Sequence, residues 1–228
     1  MTSRLPLFPL GTVLFPGLVL PLHVFEERYR ALVRHLMGLP ESLPREFGVV
    51  AIRRGWEVET KAGVTGDGAE VILHDIGCSA RVQQITELPD GRFDLVAVGD
   101  RRFRIIDVDR SSAYLAAEVE WLPEPPDRDE MAHLLAPHVL ALFRRYLQLI
   151  RPGPVAEELP EDPAVLSHAV AAATLLTVDD RQSLLAAPDT TSRLRAELRM
   201  LSREAALLHQ VRAVPATLAE FAVPSSPN

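Results

Sequence analysis

One cysteine and the histidines nearest to it form the first group in this chain that could carry out covalent chemistry. Cys78 follows His74 by four positions, and His23 is a second candidate partner in the amino-terminal region. A thiol that hydrogen-bonds to an imidazole can lose its proton and act as a nucleophile. Single cysteines in β-like segments are more often small apolar core residues. The sequence therefore favours a buried thiol over a nucleophile.

The other templates for catalysis or cofactor binding are not matched. The 7 histidines contain no H-x-x-x-H pair, and the spacing of His133 and His138 places them on diverging faces of a helix. The glycine-rich stretch 62–69, expected to be a mobile loop, lacks the lysine that contacts terminal phosphates in a P-loop. No G-x-S-x-G nucleophile elbow occurs. We expect no catalytic residue, no metal site and no cofactor.

Three neighbouring arginines form a candidate anion-binding site. Arg101, Arg102 and Arg104 fall in a β-like run, where Arg102 and Arg104 share one face of the strand. Guanidinium groups placed in this way can bind a carboxylate or a phosphate. The favoured alternative is a solvated strand face whose arginines pair with acidic residues. The acidic residues considered are Asp94, Asp107 and Asp109.

The segment from Leu5 to Leu32 holds the elements that would position further functional side chains. Its short apolar runs are separated by prolines, which lack an N–H and fix the backbone, so the runs predict strand ends, sheet edges and tight turns. These prolines are Pro6, Pro9, Pro16 and Pro21. From Glu26 to Met37 the spacing of apolar residues predicts an amphipathic helix.

Short strands and turns continue to about residue 122. Phe47–Arg53 is predicted as a strand, and Asp90-Gly91 between two β-like runs predicts a hairpin turn. Many short strands with turn signals at close spacing indicate a closed or half-closed barrel.

Beyond residue 122 the pattern is helical. Pro137 interrupts the helix predicted over 131–149, so one prediction is that the helix begins properly near that proline. Asp162-Pro163 predicts a capped helix start, and Asp179 with Gln182 resembles a capping box. The longest helix is expected over 191–214. The predicted organisation is a β-rich lobe (1–122), a connector (123–130), an α-helical lobe (131–214) and a disordered tail (215–228).

Composition limits the class of protein. The chain has 228 residues, a net charge of −7 and a single cysteine. Neither half is basic, so there is no general attraction to nucleic acid. Prolines, glycines and charges break the apolar runs before they could span a membrane, and we find no signal peptide. The single cysteine fits a reducing compartment, so we expect a cytoplasmic protein.

Several motifs, in order, resemble the Lon N-terminal, or substrate-binding, domain. The opening reads PLFPL, VLFPG and LPLHVFEERY, and the resemblance continues through FGVV at 47–50 and the segment 76–105. It is looser at 179–185 and 193–204, and Glu27 stands where the family often has proline. The resemblance implies an α+β fold, with a PUA-like β-pseudobarrel and one helix followed by a C-terminal helical bundle.

The same resemblance implies a function in binding polypeptide. It implies that residues of the opening segment line a groove for unfolded or apolar segments, although burial in the core is the alternative for most of them. The candidates are Phe15, Pro16, His23, Phe25 and Tyr29. For His23, a structural role at the strand-to-helix junction is favoured over ligand binding.

The rest of the chain does not supply the modules of a complete Lon protease. There is no ATPase P-loop, and a Ser–Lys dyad would have to use Lys61, the only lysine, beside a flexible loop. We therefore expect a non-catalytic recognition module that acts as an adaptor or holdase, with a separate protease or ligase as a possible partner. The alternative is a PUA-like RNA- or nucleotide-binding protein with Arg101, Arg102 and Arg104 at the phosphate, which the acidic composition disfavours.

Overall fold

A computed structural model describes residues 2–54, 71–124, 130–150 and 159–211. It contains seven strands and five helices in these ranges. The strands are β1 (Thr2–Leu10), β2 (Val19–Val24), β3 (Glu46–Arg54), β4 (Ile72–Leu73), β5 (Ile76–Glu87), β6 (Phe93–Asp109) and β7 (Ala116–Trp121). The helices are α1 (Glu27–Met37), α2 (Glu130–Ile150), α3 (Pro163–Ala173), α4 (Val178–Leu185) and α5 (Thr190–Val211). The predicted glycine-rich loop, most of the connector and the tail lie outside the described residues.

Five strands close on themselves to form a barrel. Their order is β1-β7-β6-β5-β3, and β3 then pairs back onto β1. The β1–β3 pair is parallel, with Leu7 opposite Gly48, and the other neighbours are antiparallel. Strand β2 pairs with β6, and β4 pairs with β3. The prediction of an α+β fold with a barrel followed by helices is confirmed.

The interior of the barrel is packed around one aromatic ring. Phe103 is fully buried there among apolar side chains from β1, β3 and β7. Two glycines make room for it, because a Cβ atom at Gly77 would lie 2.5 Å from Phe103 Cζ and one at Gly48 would lie 2.8 Å from the same atom. The glycines at these positions are therefore dictated by packing rather than by a turn.

A second apolar core joins the outer face of the barrel to the helices. It contains Phe8, Phe47 and Cys78 from the strands together with Leu32 and Leu36 from α1. Side chains from α3 and α4 complete the same cluster: Ala171, Leu184 and Leu185. The two lobes therefore share a continuous core.

The helices of the helical lobe agree with the predicted ones, with two differences in where a helix begins. The side chain of Asp162 accepts a hydrogen bond from the Val165 N–H, as predicted. Helix α4 is capped by Thr177, whose hydroxyl accepts from the Asp180 N–H at 3.1 Å, so the prediction of a cap at Asp179 is wrong. Thr177 stands directly before the first helical residue, the position where a hydroxyl reaches the N–H groups of the first turn.

The second difference concerns Pro137. Helix α2 begins at Glu130 and runs through Pro137 without ending. The proline lies on the exposed side of the helix, where water can hydrate the carbonyl that loses its partner.

Candidate peptide-binding pocket

A small apolar pocket lies where β2 ends and α1 begins, and we call it the β2–α1 pocket. Its volume is about 110 Å³. Its lining residues come from the end of β1, the end of β2 and the first turn of α1: Phe8, Leu10, Leu22, His23, Val24, Phe25, Glu26 and Tyr29. Most of these side chains are apolar, so the pocket suits an apolar side chain.

Packing of α1 against β1 forms the floor of the pocket. The rings of Phe8 and Tyr29 stack at 4.0 Å between centroids with an interplanar angle of 10°. Both side chains are buried, because Phe8 lies on the outer face of β1 and Tyr29 on the buried face of the amphipathic helix. The floor is therefore part of the core and is held rigidly.

A polar network at the rim fixes His23. Its Nδ1 lies 2.7 Å from Asp94 Oδ1, and its Nε2 lies 3.2 Å from Arg92 Nη1. A guanidinium can only donate, so Nε2 accepts from Arg92 and the Nδ1–H donates to Asp94.

The β5–β6 hairpin tip is tied to α1 next to this network. Arg30 Nε donates to the Gly91 carbonyl at 2.7 Å. Gly91 has a φ of +75°, and a Cβ atom there would lie 2.6 Å from Arg30 Nη2. The predicted hairpin turn at Asp90-Gly91 is confirmed by the Gly91 N–H, which donates to the Leu88 carbonyl.

The structure brings three of the five predicted peptide-binding residues together. His23, Phe25 and Tyr29 line the β2–α1 pocket. Phe15 and Pro16 do not line it, and Phe15 is only 1% exposed, with its ring 6.1 Å from that of His168 on α3. A substitution at Phe15 would therefore report on core stability rather than on binding. The role of the other residues in peptide binding stays a prediction.

The lining residues Leu10, Leu22 and Val24 were not among the predicted binding residues. Leu22 and Val24 alternate with His23 in a run whose even-numbered residues face the core, and Phe8 and Leu10 alternate in the same way on β1. That alternation is the signal that would have placed them beside the helix.

The three arginines of the predicted anion site each contact a carboxylate. Arg101 lies 3.5 Å from Glu46 and stacks over the Trp121 ring at 3.8 Å. Arg104 Nη1 lies 3.1 Å from Glu120. These partners differ from the three aspartates considered in the sequence analysis. Anion binding by these arginines stays a prediction.

Arg102 has a different environment from its neighbours, because the helical lobe covers it. It is 2% exposed and forms an ion pair with Glu124. Its Nη1 donates to the carbonyls of Leu185 at 2.8 Å and Ala187 at 2.5 Å, at the carboxyl end of α4. These carbonyls have no partner within the helix, so Arg102 caps α4 from the barrel.

Cys78 is a core residue in this structure. Its thiol is buried and contacts the Ser79 carbonyl at 3.3 Å, and burial raises the pKa of the thiol above its ordinary value. A raised pKa keeps the sulfur protonated and poorly nucleophilic. This environment supports the interpretation of Cys78 as a buried thiol.

A larger depression on the barrel is lined mainly by polar and charged side chains. Its volume is about 400 Å³, it is more open, and it is lined by Ser3, Arg4, Asp107, Asp109, Ala117 and Glu118. Arg4 forms an ion pair with Asp109 there. Within the described ranges no group of three or more metal-ligating side chains is close enough to hold an ion. We therefore take the apolar β2–α1 pocket as the candidate site.

A buried polar cluster lies between α3 and α5. Arg193 Nε donates to the Ser167 hydroxyl at 2.5 Å. Glu197 is 1% exposed and lies close to Arg193 and Ser167. Burial raises the pKa of Glu197 well above 4.5, against the opposing effects of Arg193 and Ser167. Burial, with the charges of Arg193 and Arg102, lowers the pKa of His168 from 6.5 to about 2.

These two shifts predict opposite pH dependences of stability between about pH 4.5 and 6.5. The unfolded chain protonates His168 below pH 6.5 and the folded chain does not, so His168 makes stability fall as the pH falls. The folded chain keeps the proton of Glu197 above pH 4.5, so Glu197 makes stability fall as the pH rises. Each slope is at most about 1.4 kcal/mol per pH unit.

Urea unfolding at several pH values separates the two residues. The free energy of unfolding of H168Q, minus that of the unsubstituted chain, should fall as the pH rises from about 4.5 to 6.5. The same difference should rise for E197Q. Parallel curves for all three proteins would show that neither group changes its protonation on folding.

The fold defines the class of the protein as an α+β domain in which a barrel is followed by helices. The model of the ATP-dependent protease La (LON) substrate-binding domain family matches residues 4–203. The chain therefore belongs to the Lon substrate-binding domain family.

Relatives and solved structures agree with this assignment. Lon protease 2 of Herpetosiphon aurantiacus is 31% identical over 209 residues, which cover 89% of this chain and 24% of that protein. A Lon N-terminal domain protein from Xanthomonas campestris is 27% identical with a TM-score of 0.59, covering 88% of this chain and 98% of that one. The N-terminal domain of a Mycobacterium avium complex Lon protease has a TM-score of 0.63 at 22% identity, with the same coverage, and supports the fold.

The relatives are much longer than the region they share with this chain. The chain spans about a quarter of the length of the Lon proteases it matches. In the described part of the chain no helix is both long and apolar enough to cross a membrane.

Proposed function

We propose that this protein is a non-catalytic recognition module that binds apolar polypeptide segments in the β2–α1 pocket. It would act in the cytoplasm as an adaptor or holdase, presenting bound segments to a separate protease or ligase. Membership of a substrate-binding domain family supports a polypeptide as the ligand. The pocket supplies a place for one apolar side chain of that polypeptide.

The observation that carries this proposal is an exposed aromatic ring beside an apolar pocket. Phe25 is 52% exposed, and its ring lies 6.3 Å from that of His23 at the rim. The pocket volume of about 110 Å³ is somewhat smaller than the cavity of about 150 Å³ that accommodates benzene in another protein. One aliphatic side chain therefore suits the volume of the pocket, and the exposed Phe25 ring lies at its rim.

Replacing Phe25 tests this function. We expect the Phe25→Ser variant to bind a fluorescently labelled apolar peptide about tenfold more weakly, because it loses roughly half the burial of an aromatic side chain on binding. The measurement is fluorescence anisotropy, with the unsubstituted protein binding in the micromolar range.

The matched control is Leu43→Ser. Leu43 is 50% exposed, similar to Phe25, and does not line the pocket. Its replacement should leave the affinity unchanged. Equal affinities for both variants, or no binder for the unsubstituted protein in a broad array of apolar peptides, would overturn the proposal.

A further inference from the structure

The outer edge of β2 has no strand partner among the described residues. Strand β2 pairs with β6 along its whole length, from Val19 opposite Val98 to Val24 opposite Phe93. The described strands include no second partner for it. A strand in this position leaves alternate backbone N–H and C=O groups available to another chain.

The ladder identifies which backbone groups face outward. The Gly99 N–H donates to the Leu18 carbonyl at 2.9 Å at the start of the β2–β6 pairing. Because hydrogen-bonded positions alternate in an antiparallel pair, Leu20, Leu22 and Val24 direct their backbone groups toward β6. Val19, Pro21 and His23 therefore direct theirs away from β6.

The position of Pro21 fits this assignment. A proline has no N–H to donate to a neighbouring strand. Within a sheet it therefore occupies positions where the N–H of another residue would point away from that strand. Of the outward-facing residues, only His23 both keeps its N–H and lines the β2–α1 pocket.

The pocket lies along this free edge rather than over one face of the strand. It is lined by the consecutive residues Leu22, His23 and Val24. Consecutive side chains of a strand point to opposite faces, so a pocket that touches all three lies along the strand edge. The edge opposite β6 is the one that has no strand partner in the described part of the chain.

We propose that the bound polypeptide adds to β2 as an extra strand. The backbone N–H and C=O of His23 pair with one residue of the peptide, and a nearby apolar side chain enters the pocket. This inference rests on the proposed function and names the ligand more closely: an extended segment with an aliphatic side chain and no proline at the pairing residue.

A pair of variants at one position isolates the backbone contribution. His23→Ala removes the ring but keeps the N–H, whereas His23→Pro removes both. We expect His23→Pro to bind an apolar peptide about fivefold more weakly than His23→Ala, which is the effect of one amide hydrogen bond. Equal affinities for two folded variants would overturn strand addition.

Backbone methylation of the peptide gives a test that does not depend on the folding of a variant. Peptides carrying one N-methyl group at each position in turn are measured with the unsubstituted protein. Strand addition predicts a loss of about fivefold or more at the residue that pairs with His23 and little loss at its two neighbours. Uniform affinities would overturn it while leaving pocket binding intact, whereas no binding by any unmethylated peptide would mean that the proposed function itself fails.

A second copy of this chain is the other occupant to test. The oligomeric state of the unliganded protein is followed by sedimentation at several concentrations. A monomer supports a free edge. A concentration-dependent dimer that His23→Pro abolishes would assign the edge to self-association and would overturn peptide addition.

Discussion

Replacing Arg102 with methionine should destabilise the protein by about 3 kcal/mol. The substitution keeps a side chain of similar length but removes the donors that bond to the Leu185 and Ala187 carbonyls. Each buried carbonyl left without a partner costs roughly 1 to 3 kcal/mol, and the ion pair with Glu124 is lost as well. Urea unfolding measures the change.

Arg104→Met is the matched control for this prediction. Arg104 lies two residues further along β6, and its side chain is 50% exposed, as is that of its partner Glu120. An exposed pair contributes at most about 1 kcal/mol, so this variant should unfold close to the unsubstituted protein. Equal losses for the two variants would show that Arg102 does not join the barrel to α4.

Replacing Gly99 with alanine should also cost about 3 kcal/mol. A Cβ atom at Gly99 would lie 2.2 Å from the carbonyl oxygen of Phe15, which is backbone and cannot rotate away. The chain between Phe15 and Leu18 crosses β6 at this point, with the Gly17 N–H donating to the Gly99 carbonyl at 2.8 Å. The segment from Phe15 to Leu18 would have to move away from β6, and this movement would disturb packing at the start of β2.

The control for this variant is Gly38→Ala at the end of α1. Gly38 has a φ of −76°, and the nearest atoms to its added Cβ lie at 3.5 Å. Alanine fits there and restricts the unfolded chain, so stability should stay equal or rise by up to about 1 kcal/mol. A small loss for Gly99→Ala, no greater than the change at Gly38, would contradict the close crossing.

Local chemistry explains the features that could be predicted from the sequence. The strand at 47–53, the turn at Asp90-Gly91 and the cap at Asp162 each depend on neighbouring residues, and each appears in the structure. Barrel closure depends on the parallel pairing of β1 with β3, two segments about 40 residues apart. The spacing of strands and turns indicated a closed or half-closed barrel, but no local pattern identified this pair.

The environments of Arg102 and Arg104 could not be predicted because they also depend on a segment distant in the sequence. Arg102 and Arg104 share a face of β6, and strand alternation gives them equal exposure. The carboxyl end of α4, about 80 residues later in the chain, covers Arg102 and leaves Arg104 exposed. Phe15 is buried in the same way by α3. Whether an aromatic residue of the opening segment lies in the core or at the pocket therefore depends on how the helical lobe packs against it.

The central claim is that apolar polypeptide binds in the β2–α1 pocket, and photocrosslinking tests it most directly. An apolar peptide with a photoreactive leucine analogue is irradiated with the unsubstituted protein, and the attached residues are identified by mass spectrometry. We predict saturable attachment at residues 22–26 or at Tyr29, which line the pocket, and its loss in the presence of excess unlabelled peptide. Saturable attachment confined to the helical lobe, or only unsaturable labelling, would contradict the claim.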